Sequence, residues 1–133
     1  MARSLVALLT TFFLLSTGCG GEQKVDHVTG TVRWDGKPVA KVVVIFMPSP
    51  GRPSWGLTDE NGKYKLHYTR GQEGAMRGTH KVYFSHRACK AREEGKDPPD
   101  DVKALIEKFG DKETTPLRYE VTKHGQVIDI NID

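Results

Sequence analysis

The stretch of residues 56–66 constrains the fold most, because it places strand-forming residues on both sides of a tight turn. Residues 59–62 within it contain aspartate, asparagine and glycine, which favour local side-chain hydrogen bonds and positive φ angles. The sequence therefore predicts a β-hairpin here. Three apolar residues beside the turn are expected to face a common core, namely Leu57, Tyr64 and Leu66.

Short runs of strand-forming residues also occur through the rest of the chain, separated by Gly, Pro, Asn and Asp. Residues 27–34 alternate, with Val28 and Val32 on one face, which is the period of a half-buried strand. Residues 41–47 are continuously apolar after the first position and rich in β-branched side chains, so a central strand is expected there. Further strands are predicted near residues 54–58, 63–68, 78–85, 117–121 and 128–132.

These strands predict an all-β fold, a seven-stranded antiparallel β-sandwich of immunoglobulin-like type over residues 27–133. One short helix is expected inside a charged insertion that begins near residue 87. Its apolar residues recur at helical spacing before Gly110, and they are Val102, Leu105, Ile106 and Phe109. A helix of about ten residues is marginal alone in water, so we expect this stripe to pack on the sandwich.

The charge balance gives no support for a nucleic-acid partner. The chain carries 20 basic and 17 acidic side chains, for a formal net charge of +3, and the two signs are interspersed. Nucleic-acid binding favours a stripe of one sign, so the prediction is a weakly basic, solvated surface. A chain of 133 residues has room for a single domain with one core.

The amino terminus is organised like an export signal. Arg3 precedes an apolar run over residues 5–15, and small residues at positions 16–18 come directly before Cys19. The apolar run is shorter than the roughly 20 residues that span a bilayer, so a membrane-spanning helix is not expected. Residues 1–18 are therefore predicted to be a signal peptide.

The end of this signal resembles the lipobox of bacterial lipoproteins, since residues 14–19 read LLSTGC, with Ser16 where leucine is most usual. The resemblance implies that Cys19 is diacylglyceryl-modified and becomes the new amino terminus after cleavage. Residues 19–26 would then be a lipidated tether that holds the domain at a membrane of the bacterial cell envelope, facing the periplasm or the cell exterior. A plain secretory signal with an incidental cysteine is the alternative.

Lipidation of Cys19 would leave Cys89 without a partner inside the chain, because these are its only two cysteines. The domain is therefore expected to fold without a disulfide, although it is exported. His86 lies near Cys89 in sequence, but nothing else in the region completes a nucleophilic site. A free thiol with no catalytic role is the prediction.

Five segments of the mature chain together resemble the carboxypeptidase regulatory-like, transthyretin-like domains of small bacterial lipoproteins. These segments are residues 28–32, 35–39, 43–46, 58–64 and 115–132. The resemblance implies a prealbumin-like sandwich displayed from a membrane, with no catalytic residues to carry over. Some relatives associate through edge strands, so an oligomer is a further expectation.

The resemblance also leaves an enzymatic alternative, because transthyretin-like folds include the hydroxyisourate hydrolases, which end in Tyr-Arg-Gly-Ser. Residues 130–133 of this chain are Ile-Asn-Ile-Asp, which removes the main reason for that assignment. The sequence also lacks a Gly-x-Ser-x-Gly motif, a phosphate-binding glycine loop and a CxxC pair. The chain is predicted not to be an enzyme and to need no cofactor.

Metal binding has weak support in the sequence. The turn at residues 59–62 resembles part of a calcium loop, but Leu57 and Tyr68 occupy positions that would need oxygen ligands. Of the five histidines, His80 and His86 share a strand face but lie about 20 Å apart along it, too far for one ion. No metal site is expected unless histidines from different strands meet.

Aromatic residues provide the remaining candidate site. Trp34 is in phase with Val32 and is expected in the core, whereas Trp55 follows a proline-rich loop. Trp55 with Tyr68 and Tyr83 is a candidate platform for stacking on a sugar or a protein partner, and packing within the fold is the alternative.

The leading hypothesis is a lipid-anchored, non-enzymatic envelope module that binds an envelope protein or glycan, or is structural. A carbohydrate-binding accessory domain and a small transthyretin-related hydrolase are the alternatives.

Overall fold

The computed structural model describes residues 24–86 and 98–133 of the chain. The predicted signal peptide, Cys19 and Cys89 lie outside the described residues. Most of the described chain is extended, because β-branched and aromatic residues alternate with polar ones over short stretches. The fold is therefore built from strands, with one helix among the described residues.

Thirteen strands are found among the described residues, and each of the seven predicted strands overlaps at least one of them. Five additional strands contain two residues each. The elements are β1 (Val25–Asp26), β2 (Val28–Trp34), β3 (Lys37–Pro38), β4 (Val43–Pro48), β5 (Ser54–Leu57), β6 (Lys63–Lys65), β7 (His67–Thr69), β8 (Gln72–Glu73), β9 (Ala75–Met76), β10 (Gly78–Ser85), α1 (Asp100–Phe109), β11 (Arg118–Val121), β12 (Gln126–Val127) and β13 (Ile130–Ile132). The predicted all-β fold with one short helix is confirmed.

The larger sheet has six strands in the order β11-β10-β4-β5-β7-β8, all paired antiparallel. Strand β4 lies between β10 and β5, as its dense β-branching predicted. Its residues nevertheless alternate between buried and half-buried in the second half of the strand, so β4 is less completely covered than a fully buried strand. One face of this sheet packs on the core and the other faces outward.

The smaller sheet is built around β2, which pairs with β3, β6, β12 and β13. The pairs with β3 and β6 are antiparallel, whereas β12 and β13 run parallel to β2. The periodicity of residues 128–132 predicted a strand but not this direction, because pairing direction depends on the path of the intervening chain. A separate two-stranded ribbon joins β1 to β9.

The core lies between the inner faces of the two sheets. It includes residues that the alternation placed inward, among them Val28 and Val32 of β2 and Val82 and Phe84 of β10. Trp34 is half-buried and packs against this core, with the Lys108 Nζ atom 5.8 Å from its ring centroid. The inward assignment is therefore confirmed for these four valine and phenylalanine residues, whereas Trp34 is only partly covered.

The predicted hairpin at residues 56–66 is only partly correct. The turn forms, since the Asp59 carboxylate accepts hydrogen bonds from the N–H groups of Asn61 and Lys63, and Gly62 has a φ of 74°. The strands on its two sides do not pair as a two-stranded ribbon, because β5 pairs with β4 and β7 while β6 pairs with β2. The turn is thus a connection between the two sheets.

Leu57 was expected in the core, and this prediction is wrong, because its side chain is 41% exposed. The reason lies in the next residue, Thr58, whose buried hydroxyl accepts a hydrogen bond from the Val42 N–H at 3.0 Å. With Gly56 and Thr58 facing inward, strand alternation turns Leu57 outward. Tyr64 and Leu66 are buried as predicted.

Helix α1 packs on β10 through its apolar stripe, as predicted. Val102 and Leu105 are fully buried, while Ile106 and Phe109 are partly buried against the core. Gly110 follows the helix with a φ of −88°, an ordinary helical value, and its N–H donates to the Ile106 carbonyl at 2.8 Å. The helix therefore closes one side of the core.

Candidate functional site

The outer face of the six-stranded sheet carries a row of apolar and aromatic side chains. The strand register places Tyr83 opposite Ile45, Ile45 opposite Trp55, and Trp55 opposite His67. Because alternate residues of a strand share a face, Leu57 lies on the same side as Trp55. These five residues are called the Trp55 surface below.

Two large apolar side chains of the Trp55 surface are open to solvent. Trp55 is 43% exposed and Leu57 is 41% exposed, whereas Ile45 and Tyr83 are half-buried. The Trp55 indole lies against the His67 ring with 5.2 Å between centroids and a tilt of 35°. The Trp55 side chain in this row is therefore held in place by a ring contact.

Two of the three predicted platform residues lie on the same face of the six-stranded sheet. Trp55 and Tyr83 lie in the same row but are two strand spacings apart, about 10 Å, with Ile45 between them. Tyr68 is on the other face of its strand, where its hydroxyl lies 3.8 Å from the Met76 sulfur atom. Burial raises the pKa of Tyr83, which is consistent with its half-buried position. Tyr68 therefore does not extend the row.

A shallow depression of about 380 Å³ adjoins Trp55. Besides Trp55 and Leu57, polar side chains from the turn and from β6 and β7 line it, including Asp59, Lys63 and Lys65. Leu57 was missed as a surface residue, although its position two residues after Trp55 was a signal that both share one face. The depression combines an indole face with hydrogen-bonding groups.

A charged cluster lies beyond the end of the row and ties β8 to its neighbours. The Glu73 carboxylate is 2.7 Å from the Lys65 Nζ atom and 2.9 Å from the His27 Nε2 atom. Hydrogen bonds from Lys65 and His27 lower the pKa of Glu73 to about 2. The ionised carboxylate is therefore favoured in the folded protein.

We expect Glu73→Gln to flatten the acid dependence of folding stability. Because the pKa of Glu73 is lower in the folded protein, its contribution is present above the ordinary value of 4.5 and is lost as the pH falls towards about 2. The measurement is the melting temperature of both proteins across this interval and at neutral pH. Glu107→Gln is the control, since no ion pair joins Glu107 to another described residue. A variant profile identical to that of wild type would contradict the role of Glu73.

Asp26 is the one acidic side chain among the described residues that is almost fully buried, at 1% exposure. The Arg77 Nε atom donates to its carboxylate at 2.5 Å, and the His124 Nδ1 atom lies 3.9 Å away. The hydrogen bond from Arg77 lowers the pKa of Asp26 against the opposing effect of burial. This contact fixes the short ribbon of β1 and β9 and is structural.

The histidines do not assemble into a metal site within the described ranges. The rings of His27 and His124 lie 5.9 Å apart, but no group of three or more potential ligands occurs in residues 24–86 and 98–133. His80 is fully buried, with its Nε2 atom 2.7 Å from the Met76 carbonyl oxygen. The alternation along β10 explains this burial, because His80 lies on the same face of the strand as the buried residues Val82 and Phe84.

Comparisons with known proteins add no relative. No family model matches the chain, and no match was found among curated proteins or solved structures. In the part of the chain that the structure describes, no helix has the length and hydrophobicity needed to cross a membrane. The Trp55 surface is therefore interpreted from its own chemistry.

Proposed function

We propose that this protein is exported, anchored through a lipid on Cys19, and acts as a non-enzymatic binding module of the bacterial cell envelope. Residues 1–19 support export and lipid anchoring, because an apolar run and small residues precede Cys19. The Trp55 surface supports the binding role. The proposal also includes membership among carboxypeptidase regulatory-like domains, which the two-sheet fold favours.

The exposure of Trp55 and Leu57 carries the binding proposal. Trp55 and Leu57 form a neighbouring pair of large apolar side chains, and each is more than 40% exposed. They lie on the outer face of the six-stranded sheet, whose inner face packs on the core. Neighbouring exposed apolar side chains often mark an interaction site. Lys63, Lys65 and His67 border them. An apolar strip bordered by lysines and by the Asp59 carboxylate fits an envelope protein that presents apolar side chains surrounded by polar residues of both charges.

The anchor is tested by mass spectrometry of the protein purified from bacterial membranes. We expect the mature chain to begin at Cys19 and to carry acyl chains, and we expect Cys19→Ala to move the protein from the membrane to the soluble fraction. A mature chain with an unmodified Cys19 would rule out the anchor. The binding proposal does not depend on that result.

Substitutions on the Trp55 surface are expected to weaken partner binding at least about tenfold, because buried tryptophans dominate interfaces of this kind. The variants are Trp55→Ala and Leu57→Ser. The measurement is cross-linking in intact envelopes, followed by identification of the captured protein and titration of the purified pair. We expect the partner to contact Trp55 directly.

Val127→Ser is the matched control for Leu57→Ser. Val127 is an apolar residue that is 65% exposed, and it belongs to β12 of the smaller sheet. We expect this change to leave partner binding intact. Equal loss with Val127→Ser, or full binding by Trp55→Ala, would place the interface elsewhere and refute the role of this surface.

Carbohydrate recognition is the second candidate, favoured by the depression of about 380 Å³ beside the exposed indole. An indole face stacks on sugar rings while polar groups such as Asp59 and Lys65 hydrogen-bond to hydroxyls. A glycan array tests this function with wild type and Trp55→Ala. Glycan binding that survives the substitution would count against this site.

A further inference from the structure

A second polar surface lies on the outer face of the smaller sheet, where a shallow groove of about 740 Å³ opens. The register places Thr31 of β2 opposite Lys63 of β6, and Arg33 of β2 opposite Asn131 of β13. Asn61, in the turn before β6, also lines the groove. Three segments that are distant in sequence thus bring five hydrogen-bonding side chains together.

Backbone contacts hold the floor of this groove in place. The Thr31 N–H donates to the Asp129 carboxylate at 3.0 Å, which fixes β2 against the segment between β12 and β13. On the other side, Gly62 packs so closely that a Cβ atom there would lie 2.7 Å from the Val32 carbonyl oxygen and 3.0 Å from Pro38. The lining side chains therefore project from a rigid base.

The groove is lined by charged side chains of one sign, whereas the chain as a whole mixes basic and acidic residues. Its lining contains two cationic side chains, Arg33 and Lys63, and no carboxylate. No ion pair or side-chain hydrogen bond joins either cation to another residue in ranges 24–86 and 98–133. Two carboxylates close in sequence to the lining residues, those of Asp59 and Asp129, accept hydrogen bonds from backbone N–H groups and form no ion pair with Arg33 or Lys63.

The spacing of the two cations suits one negatively charged group. Arg33 and Lys63 are diagonal neighbours on antiparallel strands, a relation in which the two residues lie about 7–8 Å apart. Guanidinium and ammonium groups on long side chains can converge on a carboxylate from that distance. Asn61, Asn131 and Thr31 around them offer amide and hydroxyl groups, which hydrogen-bond to neutral hydroxyls.

We propose that this groove binds an acidic saccharide, in which Arg33 and Lys63 hold a uronic-acid carboxylate and Asn61 and Asn131 hold sugar hydroxyls. An open groove of about 740 Å³ is far larger than a single inorganic ion requires. The polar neutral groups outnumber the cations, which favours a ligand rich in hydroxyls. This site requires neither the Trp55 surface nor the lipid anchor, although Lys63 borders both surfaces.

The test is calorimetric titration of the full-length protein in detergent with tetragalacturonate, its fully methyl-esterified form and inorganic phosphate. We expect tetragalacturonate to bind, esterification to weaken binding at least about tenfold, and added NaCl to weaken it further. Arg33→Gln should weaken binding at least about tenfold, and Lys63→Gln should act in the same direction. Unchanged melting temperatures would show that both variants fold.

Lys123→Gln is the matched control, because Lys123 is an exposed lysine in the turn between β11 and β12, at the opposite end of β2. We expect it and Trp55→Ala to bind like wild type. Three results would each overturn the proposal. The methyl ester could bind as tightly as tetragalacturonate, phosphate could bind as tightly as the saccharide, or Arg33→Gln could keep the affinity of wild type. Loss of binding in Trp55→Ala with retention in Arg33→Gln would assign the saccharide to the Trp55 surface instead.

Discussion

Gly30→Ala is expected to destabilise the protein by roughly 3 kcal/mol or more, although alanine is ordinarily the better residue in a strand. A Cβ atom at this position would lie 1.8 Å from the Ile128 carbonyl oxygen and 2.8 Å from the Tyr64 hydroxyl. Both neighbours are held, because the Tyr64 hydroxyl donates to that same carbonyl at 2.5 Å. Relief of the clash therefore requires β2 to move away from the chain between β12 and β13.

The affected hydrogen bond is buried, which adds to the expected loss. Tyr64 is 4% exposed, and burial raises the pKa of its phenol well above the usual range, so the neutral hydroxyl is the donor. Displacing it would leave the Ile128 carbonyl without its partner, at a cost of about 1–3 kcal/mol within the total. Glycine at position 30 therefore permits the tyrosine to cross the strand.

Chemical denaturation of Gly30→Ala, beside Gly71→Ala, measures this effect. Gly71 is the matched control because a Cβ atom there would meet nothing within 4 Å and its φ is not in the left-handed region. We expect Gly71→Ala to change the free energy of unfolding by less than about 1 kcal/mol. Similar stability of the two variants would show that β2 can shift freely at Gly30.

Phe46→Ala is expected to cost about 3–5 kcal/mol of folding stability, because it removes a large side chain from the middle of the core. Phe46 is fully buried on the inner face of β4. Its ring centroid lies 6.2 Å from that of Tyr64, 5.8 Å from that of His80 and 6.4 Å from that of Tyr119. These rings come from three other strands, so no single neighbour can move in to fill the space.

Ile45→Ala, one residue earlier, is the comparison for this prediction. Ile45 is half-buried on the outer face of β4, so a cavity does not form and we expect a smaller loss, about 1 kcal/mol. Phe46→Leu should lie between the two, since leucine keeps part of the apolar volume. Urea unfolding of the three variants gives the order, and an Ile45→Ala effect equal to that of Phe46→Ala would contradict the assignment of faces.

Local pattern determined the position of the seven predicted strand regions and of the helix, but not of the five two-residue strands. The alternation in β2 and β10 identified both the strands and their buried faces, since side chains point to opposite sides of a strand regardless of what pairs with it. The spacing of apolar residues likewise identified α1. The turn at residues 59–62 followed from Asp59 and Gly62, whose conformations are decided within a few residues.

Pairing was decided only by the tertiary structure, as the stretch at residues 56–66 illustrates. Its turn and most of its inward residues were predictable, but the division of its strands between two sheets depends on β4 and β2, which lie far away in sequence. Leu57 was misplaced for this reason. The face that it occupies is fixed by the bond between Thr58 and Val42 rather than by its own hydrophobicity.

The candidate sites divide in the same way. The sequence by itself determined that Trp55 is a candidate for exposure. The alternation that places Val28 and Val32 on one face of β2 also places Thr31 and Arg33 on the other. Only the fold placed Arg33 beside Asn131 and Lys63, and separated Tyr68 from Trp55. The physical reason is that the face of a side chain is a local property of its strand. Its neighbours depend on register between strands, which is fixed by the packing of the whole core.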